Sequence, residues 1–109
     1  NLILFKDFTQ GTSKQALVET HGSLALVFAN YAKGLNAAQK GDFVNALKEW
    51  EPLAEQGNAP AQYNLGLMYV RGQVFQDYKA GVKWYGLAAE QGNAFAQYNL
   101  GASYDNGQG

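Results

Sequence analysis

The chain has 109 residues, a formal net charge of -1 and no cysteine. This length permits one small domain at most, and a hydrophobic content of 47% supplies enough apolar side chains for a core. The balanced charge argues against nucleic-acid binding as the main function, because no basic surplus exists to neutralise phosphates. With no cysteine and a single histidine, His21, zinc–sulfur sites, thiolate nucleophiles and histidine-rich metal clusters are excluded.

Residues 1–23 form an atypical N-terminal segment. The stretch 1–5 is apolar and resembles a strand, so it predicts an extended arm that packs on the domain or pairs with another chain. The pattern Thr-Ser-Lys-Gln at 12–15 is a capping box. It predicts a helix over 13–21 that stops at Gly22.

A short apolar stretch follows at 23–29, and Val27-Phe28-Ala29 resembles a signal-peptidase site. Two interpretations remain open: a retained export signal, or an ordinary amphipathic helix. No apolar run reaches the roughly 18 residues that a membrane span requires. The bacterial cytoplasm and an exported location therefore both stay possible.

The rest of the chain is internally repeated. Residues 54–66 recur as 89–101, at an offset of 35 and with one difference. Trp50 and Trp84 are offset by 34, which predicts one inserted residue after Trp84. A period in the mid-thirties is the size of one helix–turn–helix unit of a solenoid.

Local punctuation places helices within each unit. The Gly-Asn pairs at 57–58 and 92–93 predict tight turns, since glycine accepts the left-handed conformation that ends a helix and asparagine caps the next one. Asp42 and Asp77 are further N-cap residues. The predicted helices are 24–40, 43–56, 59–71, 78–91 and 94–106.

Gly66 and Gly101 fall inside predicted helices, where glycine costs about 1 kcal/mol relative to alanine. Because glycine occurs at this helical position in both units, it predicts a compensating contact. Without a side chain, each glycine would let a partner helix cross closely. The two tryptophans are predicted to pack between helices, and Tyr69 and Tyr104 are predicted to lie in the core.

At this point the chain resembles the Sel1-like repeat family, a relative of the tetratricopeptide repeats. The residues that carry the resemblance are DYxxGxxWYxxAAEQGNAxAQYNLGxxYxxG at 77–107, and the similarity extends over about 30–109. The resemblance implies an all-α fold, a short right-handed solenoid of antiparallel helix pairs. Residues 24–109 would form about two and a half repeats.

Three features qualify the resemblance. The first unit is closer to tetratricopeptide repeats, with Gly34, Ala46, Trp50 and Leu53 at that family's spacing. Gly81 stands where a better helix former is usual and predicts a weak point in helix 78–91. Val74 also follows Gln73 directly, where the family usually has glycine before valine.

Five residues are predicted to contact a partner on the concave face. Tyr63 and Tyr98 would supply aromatic contact area there, although core packing is the alternative. Asn64 and Asn99 would hold a peptide backbone or terminal carboxylate, the stronger alternative being an intramolecular hydrogen bond. Arg71 would meet an anionic group of a partner, or else the last carbonyl groups of its own helix.

The predicted function is protein–protein interaction, as an adaptor or scaffold that binds a protein, peptide or helix without catalysis, metal or cofactor. The alternative is a structural role in self-assembly. Helix 94–106 has no following helix to cover it, so its end of the stack would pair copies of the protein into homo-oligomers. A third class, envelope-linked hydrolysis or inhibition, is implied by the family alone and lacks catalytic residues here.

Overall fold

The computed structural model describes the backbone of residues 14–107 and the side chains of residues 24–107. Within that range there are five α-helices and no strand: α1 Lys14–Gln39, α2 Phe43–Glu55, α3 Ala59–Arg71, α4 Tyr78–Glu90 and α5 Ala94–Asp105. The main contacts of each helix are with its neighbours in the chain. Consecutive helices therefore form antiparallel pairs, and the predicted all-α solenoid is confirmed.

Helix α1 corrects the prediction for the N-terminal region. The separate helices over 13–21 and 24–40 are one helix, and Gly22 lies inside it. Glycine ends a helix only where its backbone turns left-handed, whereas the backbone of Gly22 is helical. The predicted arm at 1–5 lies outside the described residues, as does the side chain of His21.

The helix starts and turns agree with the local chemistry. Four side chains accept a hydrogen bond from the backbone three residues later, at 2.8–3.3 Å: Asp42, Asn58, Asp77 and Asn93. Gly57 and Gly92 have φ of 98° and 89°, which only glycine adopts without strain. The predicted Gly-Asn turns are confirmed.

The buried core is centred on the contact between α2 and α3. Its members are Ala46, Trp50, Leu53, Ala54, Ala61, Leu65 and Met68. Val27 and Tyr31 of α1 pack against this cluster, as does the half-buried Trp84 of α4. The C-terminal half of α1 is thus the first layer of the stack.

Aromatic rings pack directly on helical glycines. A Cβ atom at Gly34 would overlap the indole of Trp50, and one at Gly66 would overlap the ring of Tyr85. The close crossing predicted at Gly66 is therefore confirmed. The equivalent of Trp50 is Tyr85, not Trp84, so the predicted inserted residue is wrong. The offset of 35 continues through this helix because packing on the preceding glycine, and not tryptophan identity, sets the register.

Gly81 makes a second close contact of α3 with α4, because a Cβ there would overlap Val70 and approach the Gly66 carbonyl. The weak point at Gly81 stays a prediction. Two further predictions are wrong. No described atom outside the adjoining stretch of α5 lies within 4 Å of the Cβ position of Gly101, so no crossing occurs there. Tyr104 is 61% exposed, because no described helix follows to cover it.

Glutamine side chains bridge the helix ends. Gln62 is buried, and its Nε2 donates to the Ala54 carbonyl at 3.0 Å while its Oε1 accepts from Gln91 at 2.9 Å. Gln97 repeats the first bond by donating to Ala89 at 3.1 Å. These bonds satisfy polar groups that would be costly to bury alone and tie each helix pair to the next.

Candidate binding groove

Two adjoining cavities lie along one side of the helix stack, with volumes of about 230 and 270 Å³. Their walls come mainly from α1, α3 and α5, while Trp50 of α2 and Tyr85 of α4 contribute aromatic rings. Leu67 and Arg71 of α3 line both cavities. We call the two cavities together the groove.

The polar lining of the groove follows the repeat. Arg71 and Asn106 are 35 residues apart, and Gln39 of α1 stands five residues after Gly34, as Arg71 does after Gly66. Asn64 and Asn99 are also 35 apart and line one cavity each. Each odd-numbered helix thus presents the same turn to the groove, because the same helix period recurs in each unit.

The two asparagines are held from inside the protein. Asn64 Nδ2 donates to the Tyr31 hydroxyl at 3.0 Å, and Asn99 Nδ2 donates to the Tyr63 hydroxyl at 3.5 Å. The interpretation of an intramolecular hydrogen bond is therefore confirmed. An amide has two N–H donors and a carbonyl acceptor, so each asparagine keeps hydrogen-bonding capacity at the groove surface.

The two tyrosines predicted to contact a partner do not line the groove. The ring of Tyr63 lies 6.1 Å from that of Tyr85 and 5.8 Å from that of Phe95, so it packs between α4 and α5. Tyr98 is 69% exposed and projects from α5 outside both cavities. The structure brings together Asn64, Arg71 and Asn99 and separates Tyr98 from them.

Arg71 is the only charged residue among the described ones that lines either cavity. It is the last residue of α3 and is exposed. The groove therefore carries one positive charge amid neutral amides and hydroxyls, although the chain as a whole has a formal net charge of -1.

The repeat units match the repeat of a known protein family, and the matches begin where helices begin. The Sel1 repeat model matches residues 59–93, which begin with α3, and residues 94–109, which begin with α5. Residues 59–109 are therefore Sel1-like repeats. No match was found among curated proteins or among solved structures. Sel1 repeats are generally protein–protein interaction modules, and the family is typically non-enzymatic.

The chemistry of this Sel1-like groove is hydrogen bonding and a single cation. Burial raises the pKa of the Tyr85 hydroxyl above its ordinary value, against smaller opposing effects of Asn99 and Arg71. This hydroxyl is therefore neutral at physiological pH and able to donate. Among residues 24–107 no three His, Cys, Asp or Glu side chains gather as metal ligands. None of the described helices combines the length and the apolar composition needed to cross a bilayer.

Several groove residues were not predicted from the sequence. Gln39, Tyr85, Ser103 and Asn106 line the cavities beside the predicted residues. Ser103 and Asn106 stand four and seven residues after Asn99, which is the spacing of one helix face. That spacing was a usable signal. Tyr85 had none, because its place depends on contact with Gly66 across the helix pair.

Proposed function

We propose that the chain is an adaptor whose groove binds a peptide or helix of a partner protein, with an anionic group of that partner at Arg71. The observation that carries the proposal is the position of Arg71 between the two cavities, with no described carboxylate in the lining. An arginine fork favours a carboxylate held by two parallel hydrogen bonds.

The amides extend this recognition along the groove. Asn64 lines one cavity and Asn99 lines the other, and Arg71 lines both. An extended peptide presents backbone N–H and C=O groups at regular intervals, and an amide side chain pairs with both. The proposed ligand is therefore an acidic segment whose backbone crosses both cavities.

A displayed random peptide library, selected on the wild-type chain, tests this function. We expect enriched peptides to carry Asp, Glu or a free terminal carboxylate, and to lose about tenfold or more in affinity for the Arg71→Glu variant. Lys79→Glu is the matched control, since Lys79 is exposed on α4 and lies outside the groove. Peptides that bind Arg71→Glu and the wild type equally would contradict the proposal.

A second candidate function is self-assembly. It is favoured by the outward face of α5, where Tyr98 and Tyr104 are 69% and 61% exposed. Large exposed aromatic side chains are enriched at protein–protein interfaces. In this function the chain joins copies of itself, and the groove remains free for a partner.

A further inference from the structure

The outward face of α5 contains a stripe of four exposed residues: Ala94, Tyr98, Gly101 and Asp105. Their spacing of four, three and four places them on one side of the helix. A large ring stands at Tyr98, and Gly101 has open space above it in the described structure. The stripe therefore combines a protruding side chain with a surface that has none.

The contact between α3 and α4 shows what such a stripe packs against. Gly66 of α3 faces Tyr85 of α4, and Val70 of α3 faces Gly81 of α4. The two residues on each helix are four apart, and the helices run antiparallel. The ring of Tyr85 thus lies on Gly66, and one helical turn away Gly81 lies against Val70.

Helix α5 carries both halves of this contact. Gly101 and Asp105 are the repeat equivalents, 35 residues on, of Gly66 and Val70. Ala94 and Tyr98 have the spacing of small residue and aromatic ring that Gly81 and Tyr85 have in α4. In an antiparallel pair of α5 helices, Tyr98 opposite Gly101 also sets Ala94 opposite Asp105, in the same register as α3 with α4.

We propose that the occupant of this face is α5 of a second copy of the chain, packed antiparallel so that Tyr98 of each copy lies on Gly101 of the other. The contact is self-complementary, as a twofold-symmetric interface requires. This inference rests on the second candidate function, self-assembly, and assigns its surface and register.

Charge supports a second copy over an unrelated apolar helix. Asp105 stands in the last turn of α5, where the helix dipole is negative and a carboxylate is unfavourable. In the proposed pair Asp105 faces Ala94 at the start of the other α5, where the dipole is positive. The stripe itself contains no basic residue to pair with Asp105. In the proposed dimer the carboxylate of each copy lies instead at the positive N-terminal end of the other copy's α5.

The size of the contact sets its strength. Two single helices of this length bury less than the ~1,200 Å² at the lower limit of standard interfaces. The dimer is therefore reversible and depends on concentration. A covalent trap is the appropriate assay, and the natural absence of cysteine makes single-cysteine variants unambiguous.

The test mixes Ala94→Cys and Asp105→Cys chains under mild oxidation. We expect the mixed disulfide to exceed either homodisulfide by about fivefold or more, because the two copies of residue 94 lie about 16 Å apart in this register, beyond disulfide reach. Replacing Ala94→Cys by Val44→Cys, at an exposed site on α2, is the control. Equal yields of mixed and homodisulfides would overturn the proposed register.

Light scattering of two glycine variants supplies a second measurement. Gly101→Leu fills the site of Tyr98 and is expected to weaken association about tenfold or more. Gly86→Leu is the matched control, since Gly86 is also helical with free space at its Cβ position. A wild-type chain that neither associates nor cross-links would overturn self-assembly altogether. Association that is insensitive to Gly101→Leu, or a different helix bound here by a monomeric chain, would overturn this inference alone.

Discussion

The closest helix contacts of this protein depend on positions where a single methyl group does not fit. At Gly34 and Gly66 the space of a Cβ atom is occupied by the ring of Trp50 or Tyr85. Burying an aromatic ring on bare backbone removes more apolar surface from water than alanine at the glycine would allow. This gain outweighs the low helix propensity of glycine.

Gly66→Ala tests this balance. The added methyl group meets Tyr85 and lies 3.1 Å from the Gly81 carbonyl oxygen, so the two helices must separate. We expect a loss of about 2 kcal/mol in the free energy of unfolding, measured by urea denaturation. Gly86→Ala, which has free space, should instead gain up to about 1 kcal/mol. Equal effects of the two substitutions would argue against the packing role.

The buried hydroxyl of Tyr85 gives the fold a pH dependence on the alkaline side. Burial raises its pKa from the model-compound value of 10.0, so the folded state retains the proton that the unfolded state loses. Its contribution to stability is complete below pH 10 and declines as pH rises through the folded-state pKa. Tyr69 acts in the same direction, through burial and the nearby carboxylates of Glu51 and Asp77.

We therefore expect the urea midpoint to fall as pH rises above 10, and to fall less steeply in Tyr85→Phe, which has no proton to lose. Denaturation series at several pH values, followed by circular dichroism, measure both slopes. Tyr104→Phe is the control, because Tyr104 is exposed. Parallel slopes for wild type and Tyr85→Phe would contradict this assignment.

At the scale of the elements, the helix ends were predictable from sequence and the lateral contacts were not. The N-caps at Asn58 and Asn93, and the glycine turns before them, involve residues only three or four positions apart. Such local contacts can be predicted from the sequence. The sequence did not reveal that Tyr85, and not Trp84, is the equivalent of Trp50. That equivalence depends on which ring of α4 packs on Gly66 of α3. Arg71, Asn64 and Asn99 line the groove. Tyr63 instead packs against Tyr85 and Phe95, a contact between helices that local spacing does not reveal.

Helix α1 is the element in which the sequence pattern was most misleading. Gly22 predicts a helix end, yet α1 continues from Lys14 to Gln39. Gly22→Ala distinguishes the two possibilities. In a continuous helix alanine stabilises the chain by up to about 1 kcal/mol and makes the ellipticity at 222 nm more negative. At a left-handed helix end the same substitution would destabilise the chain.

At the scale of the whole molecule, the sequential contacts make stability a property of neighbouring helices. The core cluster lies between α2 and α3, with α1 and α4 on either side. Helix α5 packs mainly on α4 within the described residues. Protection from local opening should therefore decrease from the centre of the stack toward α5.

Hydrogen exchange followed by mass spectrometry tests this gradient. At low concentration, where association is absent, amides of α2 and α3 should exchange more slowly than those of α5, because α5 can open without disturbing the core. Raising the concentration should slow exchange in α5 first if copies pair there. Protection of α5 equal to that of α3 in the dilute chain would show that the stack opens as one unit.

The bond between Asn64 and Tyr31 has a consequence for recognition. One N–H of the amide is held by a hydroxyl of the preceding repeat, and the amide nitrogen carries a second hydrogen. The side chain is thus immobilised when the protein folds, before any ligand arrives. Because the rotamer of Asn64 is already fixed, ligand binding does not carry the entropic cost of fixing it. The folded scaffold therefore contributes part of the affinity.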